Sequence, residues 1–413
     1  MTVLLCAVAP AHAQTAMPPL GPTGILAAGP GSMVVWAEHA NRFLLWRVEV
    51  VRGLRWTPLA VPAELTTALV ASQDEADTDD LPMVHVTYAN GGLHLFWAGA
   101  LECPPARGSS YLCTQISAAA SIDGGKRWSV SRSLVKGQAE NSIVQAVLTP
   151  DGHGWMRIQG DPGAGQLPEI LVVSSDSGKT WSLSPAEGMP IGRDRPQLTI
   201  VQSDAEGWAM AVDYDEDDPP LIVTHTIDGG ESWVRNTSIG QDVPWCGGCH
   251  FTQLSRGDDS VHDGRTCFEA MLRPAEEGKA AYARFCLTAE GMNWRSPVRL
   301  AMPTALDGPD AGDGTAGGEL PVFADGQPGF DLVWHQVAGE SHNRFDIYQT
   351  GDGGKGWKIS GVLAAAGYKP GDDVALKQIA AVGDAVAVLV ARGERGAVLV
   401  WSMDRGATWV ASR

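Results

Sequence analysis

SIDGGKRW (121–128) returns along the chain as SSDSGKTW (174–181), TIDGGESW (226–233), TGDGGKGW (350–357) and SMDRGATW (402–409). The shared template is Ser/Thr-x-Asp-x-Gly-x-x-Trp. Two further stretches, EVVRGLRW (49–56) and LTAEGMNW (287–294), keep the Gly and the Trp but not the Asp. The tryptophans fall at 56, 128, 181, 233, 294, 357 and 409. Their spacing of roughly 50 residues is that of a repeated supersecondary unit. Each part of the template suits a hairpin turn. The Asp side chain accepts hydrogen bonds from backbone N–H groups of the turn. The Gly supplies the positive φ that the reversal needs. The Ser or Thr ties back to the turn, and the Trp covers it from the next strand. Asp123, Asp176, Asp228, Asp352 and Asp404 are therefore expected to be structural rather than catalytic.

Short strand-like runs surround each turn. PQLTIVQS, GWAMAVDY, PLIVTHT and SWVRNT follow one another around the turn at 226–233, and ALKQIAAV, DAVAVLVA, AVLVWSM and TWVASR around the turn at 402–409. The turn lies between the third and fourth run of each unit. Period-two alternation is partial, as it is for strands packed on both faces. The expected fold is all-β: a β-propeller of seven four-stranded antiparallel blades with little helix. The alternative is a six-bladed ring plus an irregular segment, since two copies of the template are degenerate.

The 413 residues carry a net charge of −18, which argues against a nucleic-acid groove and equally against an anionic membrane surface. The first residues, MTVLLCAVAPAHAQTA, form a short apolar run that closes on the small-x-small pattern Ala11-His12-Ala13. Residues 1–13 are expected to be a signal peptide and residues 14–413 a single propeller domain. No later run approaches the roughly 20 apolar residues of a membrane span. The expectation is an exported monomer, periplasmic or extracellular, with no nucleic-acid partner and no membrane insertion. Cys6 would leave with the signal. An even set remains: Cys103, Cys113, Cys246, Cys249, Cys267 and Cys286. An even count in an exported chain favours disulfides. Cys103 and Cys113 flank one loop, and Cys267 and Cys286 lie on consecutive strands around a turn near Glu276. Both pairs would meet across a hairpin, which leaves Cys246 with Cys249.

The template resembles the Asp-box, or BNR repeat, of the sialidase superfamily, over nearly the whole mature chain. The resemblance implies that loops entering the first strand of each blade share one face with loops joining the second strand to the third. Ligands meet that face, and the Asp turns lie on the other. The disulfides 103–113 and 267–286 would then staple long loops of the ligand face. Enzymes of this family hold the sialic-acid carboxylate with three arginines; a Tyr activated by a Glu attacks the sugar, and an Asp serves as acid/base. The residues of this chain that the implied face offers are Arg195, Arg273 and Arg344 for the arginines, with Tyr214 as nucleophile, Glu269 as base and Asp194 as acid. His250 and His335 are further ligand contacts. The family's Arg-Ile-Pro motif is missing from the first unit, which reads GPTGILAAGPG; Arg157 in WMRIQGDPG is followed by Ile but not by Pro. The expected function is therefore binding of a protein or glycan ligand at the channel mouth, with a sialidase-type exo-glycoside hydrolase as the alternative.

WCGGCH (245–250) adds a third reading, since Cys-x-x-Cys-His is also the attachment pattern of haem c. A haem would need a second axial ligand or a dry distal pocket, and no helical run near Cys246, Cys249 and His250 reads as its wrapping. An exported Cys-x-x-Cys readily oxidises to a tight loop, and Gly247-Gly248 accepts the turn. The expectation is a Cys246–Cys249 disulfide and no cofactor. No metal site is expected: DYDEDD (213–218) lacks the spacing of a calcium loop, and His335 and His342 lack a third ligand.

Overall fold

A computed structural model describes the strands, helices and most tight turns between residues 22 and 411. Residues 1–21 and 412–413 lie outside the described residues. So do several shorter stretches and the longer connections 72–83, 103–111, 161–168, 185–197, 213–220, 244–248, 275–280, 287–297, 301–316 and 337–342. The expected signal segment is among them.

The fold is an all-β β-propeller of four-stranded antiparallel sheets. Among the described residues the strands form seven such sheets in chain order. The first is Gly24–Ala27, Ser32–His39, Arg42–Glu49 and Arg55–Pro58; the second is His85–Ala89, Gly92–Glu102, Leu112–Ser121 and Ser129–Lys136. The third is Glu140–Leu148, Gly154–Gly160, Glu169–Ser174 and Ser182–Leu183; the fourth is Leu198–Val201, Gly207–Val212, Leu221–Thr226 and Val234–Asn236. The fifth is Cys249–Leu254, Arg265–Pro274, Ala281–Cys286 and Val298–Arg299, with Val261–His262 as an extra short strand. The sixth is Gly317–Gly318 with Val322–Phe323, then Gly329–Gln336, Asn343–Thr350 and Lys358–Ile359; the seventh is Ala375–Val382, Ala385–Ala391, Ala397–Ser402 and Val410–Ala411. Two short helices join sheets. Ala63–Ala71 buries Leu65 and Leu69 against the first and second sheets, and Val362–Ala366 buries Val362 and Leu363 between the sixth and seventh.

The core lies in the seams between sheets. Alternate residues of one strand serve two seams: Val34 and Trp36 pack toward the second sheet, while Met33, Val35 and Ala37 pack toward the seventh. The last contact closes the ring. Ile25 N–H donates to Gln378 Oε1 at 2.8 Å, and Trp56 meets Trp401 edge to face at 5.8 Å.

The turns behave as the template requires. The hydroxyl of Ser174 donates to Asp176 Oδ1 at 2.9 Å and accepts the Gly178 N–H at 3.0 Å. Thr180 donates its N–H to Oδ1 and its hydroxyl to Oδ2, both at 2.7 Å. The same network recurs at Asp228 and Asp404. The hydroxyl and N–H of Ser232 hold Asp228 at about 2, and those of Thr408 do the same for Asp404. Two successive residues take positive φ in the turns at 121–128, 174–181, 226–233 and 402–409, as in a type I′ reversal. Ser177 (61°) and Arg405 (56°) stand at the first of these positions, where Gly124, Gly229 and Gly353 stand in the other copies.

The tryptophans do more than cover their own turn. Trp181 packs edge to face on Phe96 of the preceding sheet at 5.5 Å, Trp233 on Trp155 at 5.6 Å and Trp409 on Phe330 at 5.7 Å. Trp56, Trp181, Trp233 and Trp409 therefore mark seams between sheets. Asp176→Ala is expected to lower stability by about 1–2 kcal/mol, the scale of a few lost turn hydrogen bonds. A urea midpoint shifted at unchanged slope would report this; an unshifted midpoint would remove the structural role.

Candidate functional site

The sheets present one end at which the second strand passes to the third and at which the first strand begins. Several expected ligand residues map there by register. His250 stands opposite Arg273 in the fifth sheet, and His335 stands opposite Arg344 in the sixth. Arg273, His335 and Arg344 are thus strand residues and not loop residues. Nothing is described of these four side chains. Asp194, Arg195 and Tyr214, and with Tyr214 the expected Tyr214–Glu269 pair, lie outside the described residues, as do Cys103 and Cys246. Cys249 opens the first strand of the fifth sheet, where it pairs with Pro274. Cys113 and Cys249 are each disulfide-bonded.

Glu269 is described in full. It lies on the second strand of the fifth sheet, 2% exposed. Arg284 stands opposite on the third strand and donates Nε–H to Glu269 Oε1 at 2.9 Å. The same guanidinium donates through Nη1 to the carbonyl of Gly353 in the sixth sheet at 3.1 Å. A buried charge held this way belongs to a seam, bridging the fifth and sixth sheets.

The disulfide Cys267–Cys286 forms as the sequence suggests, but at the other end of its hairpin. Cys267 stands opposite Cys286, the last residue of the third strand, at the end of the paired strands away from residues 275–280. The expected staple of a ligand-face loop is corrected: the bond stands on the turn side. The reason is register, because the loop 275–280 and the cysteines lie at opposite ends of the paired strands. Leu287 and Ala289 replace the Ser/Thr and Asp of this copy. The covalent bond thus lies next in sequence to a copy of the template that lacks the residues of the carboxylate network.

Glu38 is a residue that the motif reading missed. It is the last residue but one of the second strand of the first sheet, and its carboxylate accepts the N–H of Val84, just ahead of the second sheet's first strand. Its Oε1 is buried and accepts no hydrogen bond among the described residues. Burial outweighs the Val84 contact and raises the carboxyl from 4.5 to about 7. The signal was in the strand SMVVWAEH: Glu38 is in phase with the seam-facing Val34 and Trp36. His85, one residue after Val84, hydrogen-bonds through Nε2 to the Ala146 carbonyl at 3.1 Å. Burial holds it neutral, lowered to about 4. Gln145 and Arg157 stand opposite each other beside Ala146 in the third sheet. A half-buried carboxyl raised to about 7 can hold or release a proton at the end of the first seam where the second strand passes to the third.

Among the described residues no group of three His, Cys, Asp or Glu side chains is placed to hold a metal. Among them too, no helix is long and apolar enough to cross a membrane.

No family model and no curated protein matches the chain. Among solved structures, an ulvan lyase of polysaccharide lyase family PL25, bound to -[GlcA(1-4)Rha3S]-, is similar over 95% of this chain and 93% of its own, at 12% identity and a TM-score of 0.45. The Hadza microbial sialidase Hz136 is similar over 95% of this chain and 65% of its own, at 14% identity and a TM-score of 0.38. A puromycin-hydrolyzing peptidase of Mycobacterium tuberculosis is similar over 95% and 53%, at 12% identity and a TM-score of 0.45. Similarity at these levels assigns neither a substrate nor an active site.

Proposed function

We propose that the chain is an exported Asp-box propeller of seven blades, one per sheet, that binds a protein or glycan ligand at its channel mouth without turnover. It acts as a monomer, with no nucleic-acid partner and no membrane insertion. The single observation that carries the non-catalytic reading is Glu269. The carboxylate best placed in sequence to serve as a base is 2% exposed and bonded to Arg284. The repeated carboxylate turns support the Asp-box reading, and the disulfides support export. The disulfide at Cys249 supports a Cys246–Cys249 staple with no cofactor, because a sulfur bonded to sulfur is not available for a haem thioether. His250, His335 and the arginines at 195, 273 and 344 are the proposed ligand contacts.

The test is a glycan array with the pure mature protein, alongside a fluorogenic sialoside. The expected result is saturable glycan capture with no release of the fluorescent group; release would overturn the reading. Glu38 favours the second reading, an exo-glycoside hydrolase, because a carboxyl that keeps its proton near neutrality is what a general acid needs. On that reading Asp194 would share the acid role and Tyr214 would be the nucleophile.

A further inference from the structure

Two Arg–His cross-strand pairs stand in neighbouring sheets, at the end where the second strand passes to the third. His250 is opposite Arg273 in the fifth sheet, and His335 is opposite Arg344 in the sixth. Each pair lies one residue in from the end of its strand pairing, which is Cys249 with Pro274 in the fifth sheet and Gln336 with Asn343 in the sixth.

Strand alternation decides which seam the two pairs share. In the fifth sheet Phe251, Phe268, Ala270 and Leu272 pack with Trp208 and Met210 of the fourth. Glu269 and Arg273 alternate with them on the second strand and so belong to the other face, as do their cross-strand partners Arg284 and His250. The bond from Arg284 to the Gly353 carbonyl shows that this face meets the sixth sheet. In the sixth sheet Phe330 and Ile347 pack with the seventh. His335 and Arg344 alternate with them and stand on the face toward the fifth sheet. All four residues therefore belong to one seam, two on each wall. Asp346 shares that face, two residues from Arg344. Asp331 shares it too, but four residues from His335, about 13 Å at the rise of a strand. Glu269 is held by Arg284. Among the strand residues at this end of the seam, two arginines thus face one nearby carboxylate.

We propose that this end of the seam between the fifth and sixth sheets is a subsite for a tetrahedral oxyanion, the sulfate or phosphate ester of a sugar. Donors on two facing walls suit a group whose three terminal oxygens accept from several sides. A planar carboxylate takes a single guanidinium fork from one wall. Arg273 and Arg344 supply the charge-assisted donors, and His250 and His335 supply further ring N–H groups. The subsite rests on the reading of this end as the ligand face, and it gives the chemistry of the glycan that the face takes.

The test is calorimetric titration of the mature protein with glucose sulfate, glucose phosphate, glucuronate and glucose at constant ionic strength. The expected result is one saturable site for an ester, at least about tenfold weaker binding of glucuronate, and no glucose site. The tighter of the two esters identifies the ligand. Inorganic sulfate is expected to compete for the site, a measurement that needs no variant. Arg273→Gln and Arg344→Gln, on separate sheets, are each expected to weaken the ester by at least about tenfold at an unchanged urea midpoint. Equal binding of glucuronate, no competition by inorganic sulfate, or undiminished ester binding in either folded variant would overturn the subsite. Glycan capture on the array without saturation by either ester would sink the subsite alone. No binding in any arm and no capture on the array would sink the ligand-face reading with it.

Discussion

Glu269→Ala is expected to destabilise the folded chain by about 3–5 kcal/mol, because it leaves a buried guanidinium without its charge partner. Both members of the pair are buried, with side chains 3% and 10% exposed, and the bond is short at 2.9 Å. Solvent cannot enter cheaply to replace the carboxylate. Arg284 also ties the fifth sheet to the sixth through Gly353, so the loss falls on a seam and not on one strand. The double variant Glu269→Ala/Arg284→Met is expected to recover most of the loss, since removing both charges avoids the desolvation cost. Urea unfolding of the parent, the single and the double variant measures both numbers. A binding or turnover defect in Glu269→Ala at unchanged stability would return Glu269 to the functional site and sink the ion-pair account.

Much of the fold was legible because a hairpin turn has strict local chemistry. Positive φ, a capping carboxylate and a hydroxyl at fixed offsets leave a mark that survives five times. The edge-to-face role of the tryptophans was not legible, because it depends on the neighbouring sheet. The partner of Glu269 was nearly so. Once Cys267 is paired with Cys286, antiparallel register puts Glu269 opposite Arg284, two residues in from each cysteine and on the same face. The expectation of Glu269 as a base rests on its place on a second strand beside the implied ligand face, and the cross-strand register adds Arg284 as its partner. The misplaced end of the Cys267–Cys286 staple has a related cause: a symmetric hairpin can be bridged at either end, and only strand length tells which.

Glu38→Gln is expected to flatten a pH dependence that the parent shows across neutrality. In the folded chain burial raises this carboxyl from 4.5 to about 7, with the Val84 N–H opposing the shift. The folded state therefore binds a proton more tightly than the unfolded chain does. The stability linked to that proton is fully present below about pH 4.5 and is lost as pH rises through about 7. The loss should amount to about 2–3 kcal/mol, discounted slightly because the group is only half-buried. Glutamine keeps the shape and the acceptor for Val84 but carries no charge to desolvate. Parent and variant should match near pH 4.5, and the variant should be the more stable by about 2–3 kcal/mol near pH 8.5. Urea midpoints of both proteins across that range supply the comparison. Parallel curves would mean that Glu38 is ionised and solvated like a surface carboxylate, and the general-acid reading would go with it. If the parent instead releases aglycone from a glycoside, its rate should fall as pH rises through about 7, tracking the stability curve, because one proton on Glu38 serves both.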